Sequence, residues 1–449
     1  MAVLKFRQNI ADTLTPDEKE MLPYLIRACE LTDLVYKYQQ DQNKKGGNFF
    51  PPNISRHEIE DAAIMDPKIL SPYTVVKKTE TGKLFSVDYV EQYQSFLLPI
   101  IENLEKAAKI AKNRSFKNYL KILTQSLRGG SFLEADIAWL EVKGTNLLLV
   151  LGPYERYMDK LFFIKRAFQA NLGIVKKDKN KEAKVFRDIL FATLPEKENR
   201  VKPPVIVDIA TVQDIIFAGF IGETKFSEQH LPSDSDTIQL YGSRILIYLS
   251  STERKFESLL YPIFTRIFEK KFKLSYPKEL LKRGNYYYVI LSAIGQFTNR
   301  FRNSKLRLRE LFPVFDEANN VLQGITKAKQ LLLKGIINQK ELEAIMIAEI
   351  CWAFAEWVLS KKTEVRDDYL KGDALSFTFL FKVGALQEKD GISWPNFAKM
   401  FFETENLASF FSDILSDGSY DQAKEFISKY FSVEIFNNFE KRLGKIKQD

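Results

Sequence analysis

Residues 286–297 read Tyr-Tyr-Tyr-Val-Ile-Leu-Ser-Ala-Ile-Gly-Gln-Phe, a stretch that would be apolar or aromatic on nearly every side of a helix. A helix without a polar face belongs in a buried position. We therefore expect a helix over 286–300 that forms part of the core of the protein. The fold around it has to supply apolar neighbours on all sides.

Hydrophobic periodicity extends this prediction to the rest of the chain. Two capping boxes, Thr15 to Glu18 and Ser55 to Glu58, predict helix starts. Short runs of apolar, β-branched and aromatic residues predict β-strands over 73–76, 137–142, 147–151 and 245–249. A further strand is predicted late in the chain, where Phe377, Phe379 and Phe381 alternate as on one face of a strand. Further helices are predicted over 89–127, 154–172, 253–271, 317–334, 339–360 and, with breaks, 395–442. This mixture indicates an α+β protein that is mainly helical.

Composition narrows the class of protein. The 449 residues are 45% hydrophobic and 13% aromatic, which is ample material for a globular core. The net charge of +8 comes from lysines interspersed with acids, so we do not expect nucleic-acid binding. No apolar run is long enough to span a membrane. Cys29 and Cys351 lie far apart in sequence, which favours a reducing, cytoplasmic compartment, with an exported precursor that has lost its leader as the alternative.

Histidine is the scarcest functional residue. The chain has only His57 and His230, so a zinc site built from histidines is nearly excluded. His57 has Asp61, not histidine, four residues later, and we expect it on the surface of the first turn of a capped helix. His230 opens the loop His-Leu-Pro-Ser-Asp and is expected to line a loop or cleft. The sequence also has no GxSxG elbow, P-loop, GxGxxG or CxxC pattern that would supply another active site.

Several blocks together resemble the bacterial branch of the dipeptidyl-peptidase III family. They are Gly47-Asn48-Phe49-Phe50-Pro51, Ser71-Pro72-Tyr73-Thr74-Val75-Val76, Gly152-Pro153-Tyr154-Glu155 with Asp159-Lys160-Leu161-Phe162, His230-Leu231-Pro232-Ser233-Asp234 and Lys382-Val383-Gly384-Ala385-Leu386.

The resemblance implies a two-lobed zinc-peptidase (zincin) architecture, mainly helical, with a small β-core in one lobe and a cleft for an extended peptide. On that pattern, residues 1–250 form the lobe with the β-core, and 251–370 form a helical lobe equivalent to the catalytic one. Residues 371–449 are expected to return a strand to the β-core and to add C-terminal helices.

Members of this family carry a helix similar to His-Glu-Val-Ala-His-Gly-Leu-Gly, in which two imidazoles four residues apart bind zinc and the glutamate activates water. With Gly295 as an anchor, that motif falls on residues 288–295. Tyr288 and Ser292 then replace the two histidine ligands, and Val289 replaces the glutamate base. A second motif, similar to Glu-Glu-Gly-Lys-Ala-Asp, falls on 316–321: Glu317 keeps the third-ligand position and Val321 replaces an orienting acid. Where relatives have His-Gly-x-Ala-Asn and an arginine, this chain has residues 370–374 and Phe377.

One carboxylate cannot hold zinc usefully, so we expect neither metal nor other cofactor, and a pseudopeptidase that keeps a peptide or protein ligand near the former catalytic cleft. Glu317 and His230 are candidate ligand-binding residues, together with the basic run between the two former metal helices: Arg300, Arg302, Lys305, Arg307 and Arg309. Arginines there suit a carboxylate or phosphate. Two alternatives stay open: a hydrolase with a relocated or non-standard metal site, and a structural protein whose cleft is filled by its own side chains.

Overall fold

The computed structural model describes residues 3–6, 13–40, 46–192, 200–201, 207–298, 300–361, 367–389 and 391–444. The chain divides into two compact units. The first, which we call the sheet unit, comprises 1–177, 206–226 and 230–250, and the second, the helical unit, comprises 178–205, 227–229 and 251–449. The expected α+β class, mainly helical with the sheet core in one part of the chain, is confirmed.

A six-stranded sheet lies at the centre of the sheet unit. Five of its strands lie in the order β4-β5-β6-β8-β7, and β1 pairs with the C-terminal end of β6. The β6–β8 pair is parallel, whereas β4–β5, β5–β6 and β1–β6 are antiparallel. All nine residues of β4 are buried, as expected for a strand covered on both faces. A separate hairpin joins β2 and β3. The strands are β1 Val3–Lys5, β2 Thr74–Lys78, β3 Leu84–Asp88, β4 Leu147–Glu155, β5 Ala167–Val175, β6 Val207–Gly219, β7 Glu228–Leu231 and β8 Ser243–Tyr248.

Helices pack around this sheet, and both predicted capping boxes are present at Thr15 and Ser55. The helix α1 carries Pro23 in its third turn and packs on α4 and on β5. The helices of this part of the chain are α1 Pro16–Gln39, α2 Arg56–Met65, α3 Tyr89–Gln92, α4 Gln94–Ile110, α5 Arg114–Leu127, α6 Phe132–Leu140, α8 Phe220–Thr224 and α9 Ser235–Tyr241, and a 3-10 turn spans Pro67–Leu70.

The helical unit is built around α13, α15, α16 and α17, and α18 covers α15. None of the helices described in either unit is long and apolar enough to cross a membrane. The helices of this unit are α7 Lys177–Ala192, α10 Leu249–Lys255, α11 Tyr261–Ile267, α12 Lys270–Lys273, α13 Lys278–Thr298, α14 Ser304–Leu308, α15 Phe312–Leu333, α16 Gln339–Ser360, α17 Asp367–Lys382, α18 Phe397–Ser416, α19 Tyr420–Tyr430, α20 Glu434–Asn438 and α21 Glu440–Leu443, with a π-helical turn at Phe256–Leu260 and a 3-10 turn at Arg309–Leu311.

Two predicted strands are wrong because their residues are helical. The segment 137–142 lies largely in α6, where burial of Phe132, Ala135, Asp136 and Trp139 follows the helical period rather than alternation. Residues 377–381 lie in α17, where Phe377 contacts Phe381 one turn later, with ring centroids 5.0 Å apart. The segment 371–449 therefore returns no strand to the sheet within its described residues, all of which belong to the helical unit.

The helix predicted over 154–172 is also wrong. Its ends belong to β4 and β5, which form a hairpin with a long connection. The carboxylate of Asp159 organises this connection by accepting four backbone N–H groups, from Leu161, Phe162, Ile164 and Lys165, at 2.9–3.0 Å. Lys165 is fully buried, and its ammonium group donates to the carbonyl oxygens of Ile69 and Ser71 and to the hydroxyl of Thr74. A loop held by two buried ions leaves no periodic signal in the sequence.

Candidate functional site

The helix α13 places the three positions of the first motif in the interior of the helical unit. Tyr288 is 7% exposed and Val289 is buried, whereas Ser292 is partly buried. The Tyr288 ring stacks on Trp352 of α16, with the centroids 6.2 Å apart and the planes 13° from parallel. The indole N–H of Trp352 in turn donates to the side-chain oxygen of Asn285, three residues before Tyr288, at 2.9 Å. The expected burial of this helix is confirmed.

The two helices that would carry the metal motifs cross in direct backbone contact. A Cβ added to Gly295 of α13 would lie 1.9 Å from the carbonyl oxygen of Asn320, and one added to Gly324 of α15 would lie 2.2 Å from that of Leu291. Only glycine permits such an approach. Ser292 stands one residue after Leu291, so it lies at this crossing.

The second motif position, on α15, places a single carboxylate beside apolar neighbours. Glu317 is partly buried, and Val321 is partly buried with its side chain on a small cavity. The neighbouring Asp316 has its pKa raised to about 7 by burial, against the lowering effect of Arg300 and Lys305. The predicted ligand-binding role of Glu317 remains a prediction.

The zinc that the family resemblance implies does not fit these residues. Burial and the charges of Asp373, Glu349, Glu356 and Glu228 raise the pKa of the Tyr288 phenol well above its usual range, so this side chain stays protonated and is a poor metal ligand. Val289 and Val321 have no donor atoms, which leaves one hydroxyl and one carboxylate. Across the described ranges of the chain, no group of three or more His, Cys, Asp or Glu side chains is arranged to hold a metal ion.

A cavity of about 20 Å³ opens between α15, α16 and α17, which is room for one water-sized group. Most of its wall is apolar, and its polar groups are the carboxyls of Glu349 and Asp373 and the hydroxyl of Ser376. The oxygen Oε2 of Glu349 is buried and has no hydrogen-bond partner within the described part of the chain. Burial raises the pKa of Glu349 to about 8.

Sequence reasoning missed Glu349, although the helix 339–360 was predicted with its correct ends. One signal was available: Glu349 and Glu356 interrupt an otherwise apolar stretch seven residues apart, which places both on one face of α16. Both are buried, at 9% and 5% exposure. In the sequence, Asp373 and Phe377 stand out only as positions where the chain departs from the family pattern.

The residues of the basic run between α13 and α15 have different environments and different contacts. Arg300 lies with its guanidinium 5.1 Å from the Phe297 ring, and burial lowers its pKa while Asp316 opposes the shift. Arg302 and Lys305 are exposed. The guanidinium of Arg309 lies 5.7 Å from the Tyr420 ring.

Arg307 has a structural set of partners. Its guanidinium donates to the carbonyl oxygens of Ile414, Leu415 and Ser416 at 2.7–3.0 Å, and also to that of Gly418. The first three are carbonyls of the last turn of α18, which lack partners within their own helix, and Gly418 follows two residues after its end. The arginine therefore caps α18, and its donors are directed to the protein itself.

His230 is not in a loop but in the edge strand β7, where it is 8% exposed. The segment after it is tied to two arginines of the β4–β5 connection: Arg156 donates to the carbonyl oxygen of Ser233 at 2.9 Å, and Arg166 lies 3.7 Å from the carboxylate of Asp234. His57, by contrast, is exposed in the first turn of α2, 3.6 Å from Asp61, as predicted.

The arrangement of a mixed sheet in one unit and a helical unit around α13 and α15 is that of the dipeptidyl-peptidase III-like fold, so the expected fold is confirmed. The chain is similar to the structure of DPP III from Caldithrix abyssi, with a TM-score of 0.85 at 22% identity over 98% of this chain and 94% of that one. It is also similar to dipeptidyl-peptidase III from Corallococcus sp. strain EGB, with a TM-score of 0.82 at 18% identity over 98% of this chain and 93% of that one.

Among curated proteins, the chain is similar to Nudix hydrolase 3 of Arabidopsis thaliana. The two are 24% identical over 423 residues, which cover 86% of this chain and 54% of the relative. The chain thus spans about half the length of that relative. No protein-family model matches the chain.

Proposed function

We propose that this chain is a peptidase-related protein without catalysis of its own, which binds a peptide or protein ligand near α13, the helix on which the family resemblance would place the zinc motif. The observation that supports this most directly is the packing of Tyr288 on Trp352 at the first motif position. A ligand position that has become part of an aromatic core contributes stability and no metal chemistry.

The ligand class follows from the fold by analogy, since the structural relatives are named as dipeptidyl-peptidases. A feature of the sheet adds to it. The strand β7 is at one end of the sheet order, and an edge strand can pair with an extended peptide through backbone hydrogen bonds without any catalytic group. A peptide added along β7 would pass His230, the third residue of this strand.

The experiment is a binding measurement made together with a turnover assay. A fluorescent pool of short extended peptides is titrated with the purified chain, and the same mixtures are analysed for cleavage by mass spectrometry. We expect saturable binding with the peptides intact. Cleavage that purified protein sustains over many turnovers would contradict the proposal and favour a relocated or non-standard metal site.

The two histidines provide a matched pair of variants. We expect His230→Ala to weaken peptide binding by about tenfold, the effect of removing one contact worth ~1.4 kcal/mol. His57→Ala, which changes an exposed residue of α2, should leave binding unchanged. The thermal midpoint of each variant controls for loss of folding. Absence of binding to any peptide in the pool would favour the structural-protein alternative.

A further inference from the structure

The cavity between α15, α16 and α17 has the features of a site for a small positively charged group. A buried carboxyl is normally paired or hydrogen-bonded, because taking its charge out of water is costly. The Glu349 side chain is only 9% exposed, it lines the cavity, and its Oε2 has no hydrogen-bond partner among the residues that the structure describes. Burial accordingly raises its pKa to about 8.

The other polar groups of the cavity are acceptors as well. Asp373 contributes a second carboxyl and Ser376 a hydroxyl, which brings three oxygen-bearing side chains to one small space. Further acidic groups lie close by, because Glu356 and Glu228, together with Glu349 and Asp373, raise the pKa of the Tyr288 phenol. The local field therefore favours a cation over an anion or a neutral ligand.

Size and lining select the kind of cation. The cavity of about 20 Å³ admits one water-sized group, so it excludes a magnesium ion that keeps its hydration shell. The side chains of Val321, Ile350 and Leu380 form an apolar wall, and the Phe377 ring adds an aromatic surface. An ammonium ion is about the size of a water molecule, and its N–H donors match the three acceptor side chains. The apolar wall supplies no further oxygen ligands, which a metal ion would need.

The geometry points to a binding site for one ammonium ion, formed by Glu349, Asp373 and Ser376. This site does not depend on the peptide binding proposed above, because it uses no residue of β7 and its ligand carries no peptide backbone. Glu349 and Ser376 also lie outside the segments to which the family's zinc motifs align, residues 288–295 and 316–321.

Ammonium chloride is the probe. Equilibrium dialysis of isotopically labelled ammonium against the full chain, in mildly alkaline buffer, measures binding directly. The thermal midpoint in ammonium chloride, compared with sodium chloride and tetramethylammonium chloride at equal ionic strength, provides a second readout. We expect saturable binding and a midpoint that rises with ammonium more than with the other two salts, since neither the sodium ion nor the quaternary ion has an N–H donor.

Glu349→Gln removes the charge and keeps the shape, and it should weaken ammonium binding by tenfold or more, the usual effect of losing a charged hydrogen bond. Glu425→Gln is the control, because Glu425 is exposed on α19 and does not line the cavity. Equal midpoints in all three salts, or ammonium binding that Glu349→Gln retains, would overturn the assignment. Failure of peptide binding alone would leave it standing.

Discussion

The ring of Tyr288 lies flat against the indole of Trp352, 6.2 Å away between centroids and 13° from parallel. These residues belong to α13 and α16, and the pair is fixed further by the hydrogen bond from Trp352 to Asn285. At the position where the family resemblance would place a zinc-ligating histidine, the chain thus has a packing residue. The predictions below test this interpretation and the features around it.

Tyr288→Ala should lower the free energy of unfolding by about 3–5 kcal/mol, because it removes a buried ring and leaves a cavity beside Trp352. Chemical denaturation of the purified variant measures the change. Tyr288→Phe is the control and should cost about 1 kcal/mol or less, since it keeps the stacked ring. A loss below about 1 kcal/mol for the alanine variant would mean that the ring is not part of the core.

Gly295→Ala should destabilise the protein by more than about 3 kcal/mol, because the new methyl group would lie 1.9 Å from the carbonyl oxygen of Asn320 and force α13 away from α15. Gly372→Ala is a graded comparison within the same unit. Its nearest contacts are at 3.0 Å, and the gain in helix propensity of about 1 kcal/mol offsets part of the strain. Equal effects of the two substitutions would argue against the close crossing.

Glu349→Gln should change how stability depends on pH. The pKa of Glu349 is about 8 in the folded protein against 4.5 as its ordinary value, so its contribution to stability is fully present below pH 4.5 and is lost as the pH rises to about 8. Glutamine does not titrate, so the free energy of unfolding of the variant should rise relative to that of the wild type between pH 4.5 and about 8. The expected difference is on the order of a few kcal/mol. Urea midpoints at several pH values measure the difference.

The exposed Glu425 of α19 provides the control for this measurement, since Glu425→Gln should leave the pH profile unchanged. Tyr288, Asp373 and Glu356 lie in the same region and are common to both proteins, so the comparison isolates the substitution at position 349. A wild-type profile parallel to that of Glu349→Gln from pH 4.5 to 8 would show that Glu349 is not held protonated.

Arg307→Lys should cost about 1–3 kcal/mol, because a lysine cannot reach the several carbonyl oxygens at the end of α18 that the planar guanidinium contacts. Arg302→Lys, in the same basic run but exposed, should change stability by less than about 0.5 kcal/mol. Thermal denaturation monitored by circular dichroism compares them. The cap would be ruled out if both lysine variants unfolded at the wild-type temperature.

Local signals in the sequence predicted the elements that local chemistry decides. The capping boxes at Thr15 and Ser55 and the ends of α16 are correct, because each depends on side chains within a few residues. The apolar surface of α13 correctly indicated a buried helix. The family resemblance then supplied the arrangement of these elements, which periodicity does not encode.

Long-range contacts decided the elements that the sequence misassigned. The β4–β5 connection lies within a helix that periodicity predicts, because the binding of Asp159 to four backbone N–H groups has no periodic signature. The phenylalanines at 377–381 suggested alternation, whereas Phe377 and Phe379 pack on different partners of a helix, Phe354 and Tyr430. The cavity at Glu349 needed three helices to come together before it could be recognised.

The metal content of the purified chain tests the central claim most directly. After incubation with zinc and removal of free ion, elemental analysis should find far less than one equivalent per chain in the wild type. The triple variant Tyr288→His, Val289→Glu and Ser292→His, which restores the family pattern beside Glu317, serves as the comparison and should retain more zinc. One equivalent of zinc in the wild type, lost on substitution of Glu317, would contradict the account.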